Sequence, residues 1–266
     1  MGKDRGVSHV IPLPAAMVQK ARDFRGTPAE ARAAATVVLV HPETLQVYIL
    51  RRAATMVFGG VHAFPGGRVD PGDRPDTVRP DWAERLGVPG EQARAVVGAA
   101  ARELFEEAGV LLAGPVGEPD RTVGDVTGED WEADRRAVAA RELTMTDLLA
   151  RRGLRLRDDL LFPWARWITP EFEPKRFDTW FFVALLPEAQ TARDVSGEAE
   201  ATAWIRPAAA DGLAMLPPTR VTLDQLSAYG KVEDLVAATA TRNAAVPVMP
   251  QVELTGDGGA VVRIPD

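Results

Sequence analysis

Alternating strand-like and helix-like segments predict a mixed α/β chain, an α/β/α sandwich around a mixed β-sheet. Three observations carry that expectation. A β-branched, apolar run over 33–40 turns at His41-Pro42-Glu43-Thr44 and returns over 46–50, the pattern of a hairpin in a buried sheet. An Ala-rich stretch over 91–108 repeats Val96, Val97, Ala100, Leu104 and Phe105 on one helical face and stops at Gly109. Strand-like segments over 160–169, 179–186 and 201–205 then alternate with further helical ones.

Taken in order, the first thirty residues carry Pro12, Pro14 and Pro28 with little periodicity, so 1–32 reads as an extended lead-in. Residues 33–228 read as the main domain. Within it, 70–90 is rich in Pro, Asp and Gly and reads as a loop or irregular insert anchored by Trp82 and Leu86. Helices follow over 129–140 and 146–152, the second with Thr144 or Thr146 as its cap. After Pro207 the chain turns helical over 208–214, 219–228 and 232–241. Residues 229–266 read as a helix and arm packed on the same domain, with a hairpin or arm over 246–264.

Composition bounds the function. A chain of 266 residues with 46% hydrophobic and 26% charged residues can bury a full core. The formal charge of −7 argues against a dedicated nucleic-acid surface, though local arginines or a metal can still draw a small anion. There is no cysteine, which excludes disulfides, thiolate nucleophiles and zinc–thiolate sites. Three histidines far apart in sequence do not suggest a histidine-rich metal centre. No apolar run is long enough to span a bilayer and no targeting segment stands out, so the cytoplasm is the expected location. The apolar helices after residue 207 suit either packing within one chain or a homodimer.

The most informative stretch is Arg102-Glu103-Leu104-Phe105-Glu106-Glu107-Ala108-Gly109-Val110. Residues three and four apart share a helical face, so Glu103 reaches Glu106 and Glu107. Crowded carboxylates at a helix C-terminus repel one another and oppose the helix dipole. A hard divalent cation such as Mg²⁺, which takes a few carboxylates plus water and phosphate, accounts for the arrangement. The alternative is a solvated acidic face. Upstream, Gly66 and Gly67 permit a tight loop whose backbone can approach metal or phosphate.

Together with Phe64-Pro65-Gly66-Gly67, this stretch resembles the Nudix hydrolase signature, G-x5-E-x7-R-E-U-x-E-E-x-G-U. The second half matches at every fixed position. The resemblance implies a site for Mg²⁺ or Mn²⁺ at Glu103, Glu106 and Glu107, with Gly67 lending a backbone carbonyl. It implies catalytic roles for Glu106, Glu107 and Arg102, the arginine positioning a carboxylate through a bidentate pair. The implied reaction is in-line attack of water on the diphosphate of a nucleoside diphosphate linked to another moiety. A non-catalytic, nucleotide-binding sensor of the same fold is the reading of another class, left open by the departure that follows.

The signature is split. It sets its first Gly fourteen positions before Arg; here Gly67 and Arg102 are 102 − 67 = 35 apart, an excess of 35 − 14 = 21. Six places after Gly67 stands Asp73 rather than Glu, so Asp73 or Glu91 is the candidate partner of Arg102. An insertion here resembles the coenzyme A diphosphatase branch of the family. So do Trp167-Ile168-Thr169-Pro170, Arg176-Phe177-Asp178-Thr179-Trp180-Phe181-Phe182 and Leu216-Pro217-Pro218-Thr219. The branch implies coenzyme A or acyl-coenzyme A as substrate, with ADP-ribose, a dinucleotide or a nucleotide sugar as the alternative.

For substrate binding the candidates are Arg51 and Arg52, and Arg176 held by Asp178. Phe177, Phe181 and Phe182 read as core rather than as a stacking platform. For the base, or a further metal ligand, Glu198 and Glu200 before the strand over 201–205 are the candidates, with Glu198 preferred.

Overall fold

The computed structural model describes residues 10–12, 15–54, 59–195, 197, 199–256 and 259–264. The chain opens with β1 (Val10–Pro12) and α1 (Ala15–Asp23), then the long strand β2 (Ala31–Val40) and β3 (Val47–Arg52). The two are joined by a tight turn in which Leu45 takes a left-handed φ of 55°. Short strands β4 (His62–Ala63) and β5 (Gly66–Arg68) lead to α2 (Trp82–Leu86) and α3 (Gly90–Ala108). Next come β6 (Ala113–Pro115), α4 (Glu129–Ala139), α5 (Met145–Arg151), β7 (Leu154–Leu156), β8 (Phe162–Ile168), β9 (Arg176–Leu185) and β10 (Ala199–Ile205). The chain closes with α6 (Pro217–Leu226), α7 (Val232–Thr239), β11 (Pro247–Val248), β12 (Gln251–Leu254) and β13 (Ala260–Arg263).

The main sheet runs β10-β3-β2-β9-β8-β11, with β4 added on β3 and β5 on β2. Strands β2 and β9 pair in parallel over ten residues at its centre, while β2–β3, β3–β10 and β8–β9 are antiparallel. A central strand is covered on both faces, which is why β2 and β9 read as nearly unbroken apolar runs. Successive side chains point to opposite faces. Ala35, Val37 and Leu39 of β2 join Trp180 and Phe182 of β9 in one core with α2, α3, α4 and α5. Val38, Val40, Phe181 and Val183 enter a second core with α6, α7 and β13. Helices on both faces of a mixed sheet make the expected α/β/α sandwich.

Helix α3 ends where the sequence places its stop: Gly109 is left-handed at φ 65° and its N–H closes on the Phe105 carbonyl at 3.0 Å. The segment over 70–90 is more ordered than its composition suggests. It carries α2, whose Trp82 and Leu86 are fully buried against α3 and β9. Gly98 lets this insert lie directly on α3, since a Cβ there would stand 2.8 Å from Pro75 Cδ.

Three expectations are corrected. The lead-in contains a helix, α1, because 15–23 offers an uninterrupted run free of Pro and Gly. The stretch 208–214 forms only a short turn over Pro207–Ala209, and Gly212 at φ 80° prevents a longer helix. Strand β9 starts earlier than expected, at Arg176, because pairing with β2 extends it. The predicted hairpin over 246–264 is present as β12 and β13, and β1 joins it to make a separate three-stranded sheet. Among the described residues no helix is long and apolar enough to cross a membrane.

Candidate active site

The last two turns of α3 place Arg102, Glu103, Glu106 and Glu107 against β5 and the loop that follows it, and all four are buried. Arg102 organises them. Its Nε and Nη2 donate to Asp73 Oδ1 and Oδ2 at 2.7 and 3.0 Å, a bidentate pair. Nη2 also donates to the Arg68 carbonyl at 2.8 Å, and Nη1 to Glu103 Oε1 at 2.7 Å and Glu106 Oε1 at 3.1 Å. Burial works against the guanidinium charge, but Asp73, Glu103 and Glu106 outweigh it and hold its pKa above the ordinary value.

The partner of Arg102 is therefore Asp73, six places after Gly67, and the extra residues lie between Asp73 and the helix. Glu91 sits in the first turn of α3, exposed and remote from Arg102.

The glycine pair holds two of the glutamates. Gly66 N–H donates to Glu107 Oε2 at 2.8 Å. Gly67 is in contact with the Glu103 carboxylate, and a Cβ at residue 67 would collide with it. Burial pushes the Glu103 carboxyl up to about 7, with Arg102 pulling it back and Glu106 adding to the rise. Glu106 is engaged instead by arginines: Arg102 on one side and Arg141 Nη1 at 2.7 Å on the other. Arg141 also pairs through Nε with Asp70. Its backbone is left-handed at φ 63°, an uncommon state for a non-glycine residue and one that clusters at functional sites.

These groups open into a cavity of about 720 Å³, within the range of small-molecule sites. Its lining includes Gly66, Gly67, Glu103, Glu106, Glu107, Arg52, Arg135 and Arg141. The downstream segments singled out in the sequence converge on the same space: 167–170, 216–219, and Phe177, Thr179 and Phe181 of β9.

Several sequence candidates fall elsewhere. Arg51 is exposed and faces away from the cavity, 3.6 Å from Glu200, because neighbours on β3 point to opposite sides; Arg52 is the one that lines it. Arg176 points off the cavity for the same reason, and its guanidinium donates to the carbonyls of Thr169 and Ala29. Asp178 pairs with Arg166 at 2.7 Å rather than with Arg176. Phe181 and Phe182 are core as expected, Phe181 also touching the cavity, while Phe177 lines the cavity. Glu198 lies outside the described residues. Glu200 accepts from Ala54 N–H at 3.0 Å and does not line the cavity. Arg141, Arg135 and Asp70 were not legible; no spacing relative to the glutamates marks them.

The donor set suits a hard cation. Among the described residues no three acidic or histidine side chains converge on one point. Mg²⁺ does not require that, since it is commonly bound by one or two carboxylates with water and substrate phosphate. Glu107, bonded to the Gly66 N–H, and Glu103, against Gly67, could supply such a pair.

The fold and this carboxylate turn are similar to those of Nudix hydrolases. No family model matches the chain. A Caenorhabditis elegans protein named as nudix hydrolase 7 is 28% identical over 231 residues, covering 83% of this chain and 68% of the relative. A crystal structure of a NUDIX hydrolase from Alicyclobacillus acidocaldarius is 26% identical, with a TM-score of 0.63, and covers 81% of this chain and 98% of its own. Both likenesses support placement in the Nudix hydrolase family.

Proposed function

We propose that the protein is a divalent-metal-dependent diphosphatase that cleaves a nucleoside diphosphate derivative, with coenzyme A or acyl-coenzyme A as the leading substrate. One observation carries the reading: buried, arginine-organised carboxylates open into the same cavity as two arginines, Arg52 and Arg141, able to meet phosphate. Glu103 and Glu107 would hold Mg²⁺ or Mn²⁺, and Gly67 would lend a backbone carbonyl. An ion held by these residues would supply positive charge for the phosphoryl oxygens and Lewis acidity for a water.

The chain's own groups supply the rest. Arg102 keeps Glu103 and Glu106 in place through a network anchored at Asp73, so the carboxylates need not reorganise when substrate enters. Arg52 Nε is buried with no partner among the described residues, free to donate to a phosphate oxygen. Arg141 neutralises Glu106 and Asp70 at the cavity wall and can turn its guanidinium to the diphosphate. A carboxylate of the Glu106–Glu107 pair orients the water for in-line attack on phosphorus. The expected products are two phosphate-bearing fragments, for coenzyme A 3′,5′-ADP and phosphopantetheine.

The test is a substrate panel of coenzyme A, an acyl ester, ADP-ribose, a dinucleotide and a nucleotide sugar, with Mg²⁺ or Mn²⁺ and product identification by mass spectrometry. Turnover of ADP-ribose without any coenzyme A ester would replace the leading substrate by the second. Metal-dependent binding with no turnover of any member would favour a sensor.

A further inference from the structure

The two chain ends, which lie outside the signature segments, meet beside the cavity. Strand β1 pairs with β13, which pairs with β12, and α1 lies against β12. Lys20 of α1 reaches Glu173 Oε2 at 3.2 Å, tying this unit to the loop before β9, and Glu173 itself lines the cavity. Met17 of α1, Pro250 before β12 and Val262 of β13 all enter the cavity wall.

The lining divides by element. Helix α3, the segment over 66–70 and the α4 region contribute Glu103, Glu106, Glu107, Asp70, Arg135 and Arg141. The chain ends contribute Met17, Pro250 and Val262, β9 contributes Phe177, Thr179 and Phe181, and the approach to α6 contributes Met215. Against Met17, Pro250 and Val262, the residues the chain ends themselves supply, a sugar or a second phosphate would give up hydrogen bonds to water without replacement, whereas an apolar group would gain from leaving water.

We propose that the paired chain ends form a specificity wall, and that the moiety it selects is an apolar arm, alkyl or aryl, carried on the diphosphate. This rests on the diphosphatase reading for the position of the phosphates, and its test does not depend on turnover. The probes are the β-methyl and β-hexyl esters of adenosine 5′-diphosphate, titrated calorimetrically into the full chain in chelator.

Burial of a methylene is worth up to about a fourfold gain in affinity, so the hexyl ester should bind at least roughly tenfold tighter than the methyl ester. Met17 is partly exposed on a short helix, so its replacement spares the deep core. Met17→Asp should remove most of the difference between esters, and Met17→Trp, which fills the space, should weaken the hexyl ester alone. Equal affinities in the unsubstituted protein, no binding of either ester, or chain-length preference unchanged in both variants would overturn the wall. Addition of Mg²⁺ then reads the other question separately: a preserved preference with no cleavage would reject the diphosphatase and keep the wall.

Discussion

Replacing Asp73 by Asn tests whether the inserted segment completes the carboxylate turn. The Asp73 side chain is 1% exposed and gives Arg102 two charged hydrogen bonds of 2.7 and 3.0 Å. Charged hydrogen bonds contribute about 1.5–3 kcal/mol each, but Arg102 keeps Glu103, Glu106 and the Arg68 carbonyl. The net loss is therefore expected near 2–3 kcal/mol, a fall in melting temperature of roughly 5–10 °C. Arg102→Met removes the common counter-charge from Asp73, Glu103 and Glu106 and should cost about 3–5 kcal/mol. In that background Asp73 is an unpaired buried carboxylate, so adding Asp73→Asn should be neutral or stabilising, with a coupling of about 2 kcal/mol or more. Urea unfolding of the four proteins in chelator measures the cycle. Additive losses, or a change under about 0.5 kcal/mol for Asp73→Asn, would refute this role for the insert.

Other expectations follow from the same geometry. Gly67→Ala should displace the Glu103 carboxylate and lower turnover by about 100-fold or more while leaving the melting temperature within a few degrees; unchanged turnover in steady-state assays would count against Glu103. Arg141→Ala should raise KM for the diphosphate substrate about tenfold with a smaller change in kcat, and an unchanged KM would remove it from the phosphate site. In chelator, Glu103 titrates near 7 in the folded protein and near 4.5 unfolded, so the folded state binds more protons between those values. Stability should then fall as pH rises from about 4.5 to 7, by on the order of 3 kcal/mol, and level off above; saturating Mg²⁺ should flatten that slope. Unfolding midpoints at a series of pH values would show it, and a stability that rises over this interval in chelator would contradict the assignment.

The parts of the fold that were legible are those with one dominant period. Buried strands β2 and β9 and the helix α3 announce themselves through apolar runs and a 3.6-residue repeat. The insert was opaque because its order comes from tertiary contacts: Trp82 and Leu86 buried between α3 and the sheet, and a glycine at 98 that admits Pro75. In the site, helical spacing gave the glutamates, and counting six from Gly67 gave Asp73 beside one wrong alternative. Arg51 and Arg176 were misplaced because strand parity decides which side chain faces the cavity, and a shift of one residue reverses it. Arg141 was invisible, since only folding brings the end of α4 to Asp70 and Glu106.

The most direct test of the central claim is the rate of diphosphate cleavage, with and without chelator, by the unsubstituted protein and by Glu107→Gln. A metal-activated rate that chelator abolishes, and that Glu107→Gln lowers by about 100-fold or more, is the expected result. Cleavage indifferent to chelator, or undiminished in Glu107→Gln, would contradict the assignment of this turn of α3 as the catalytic centre.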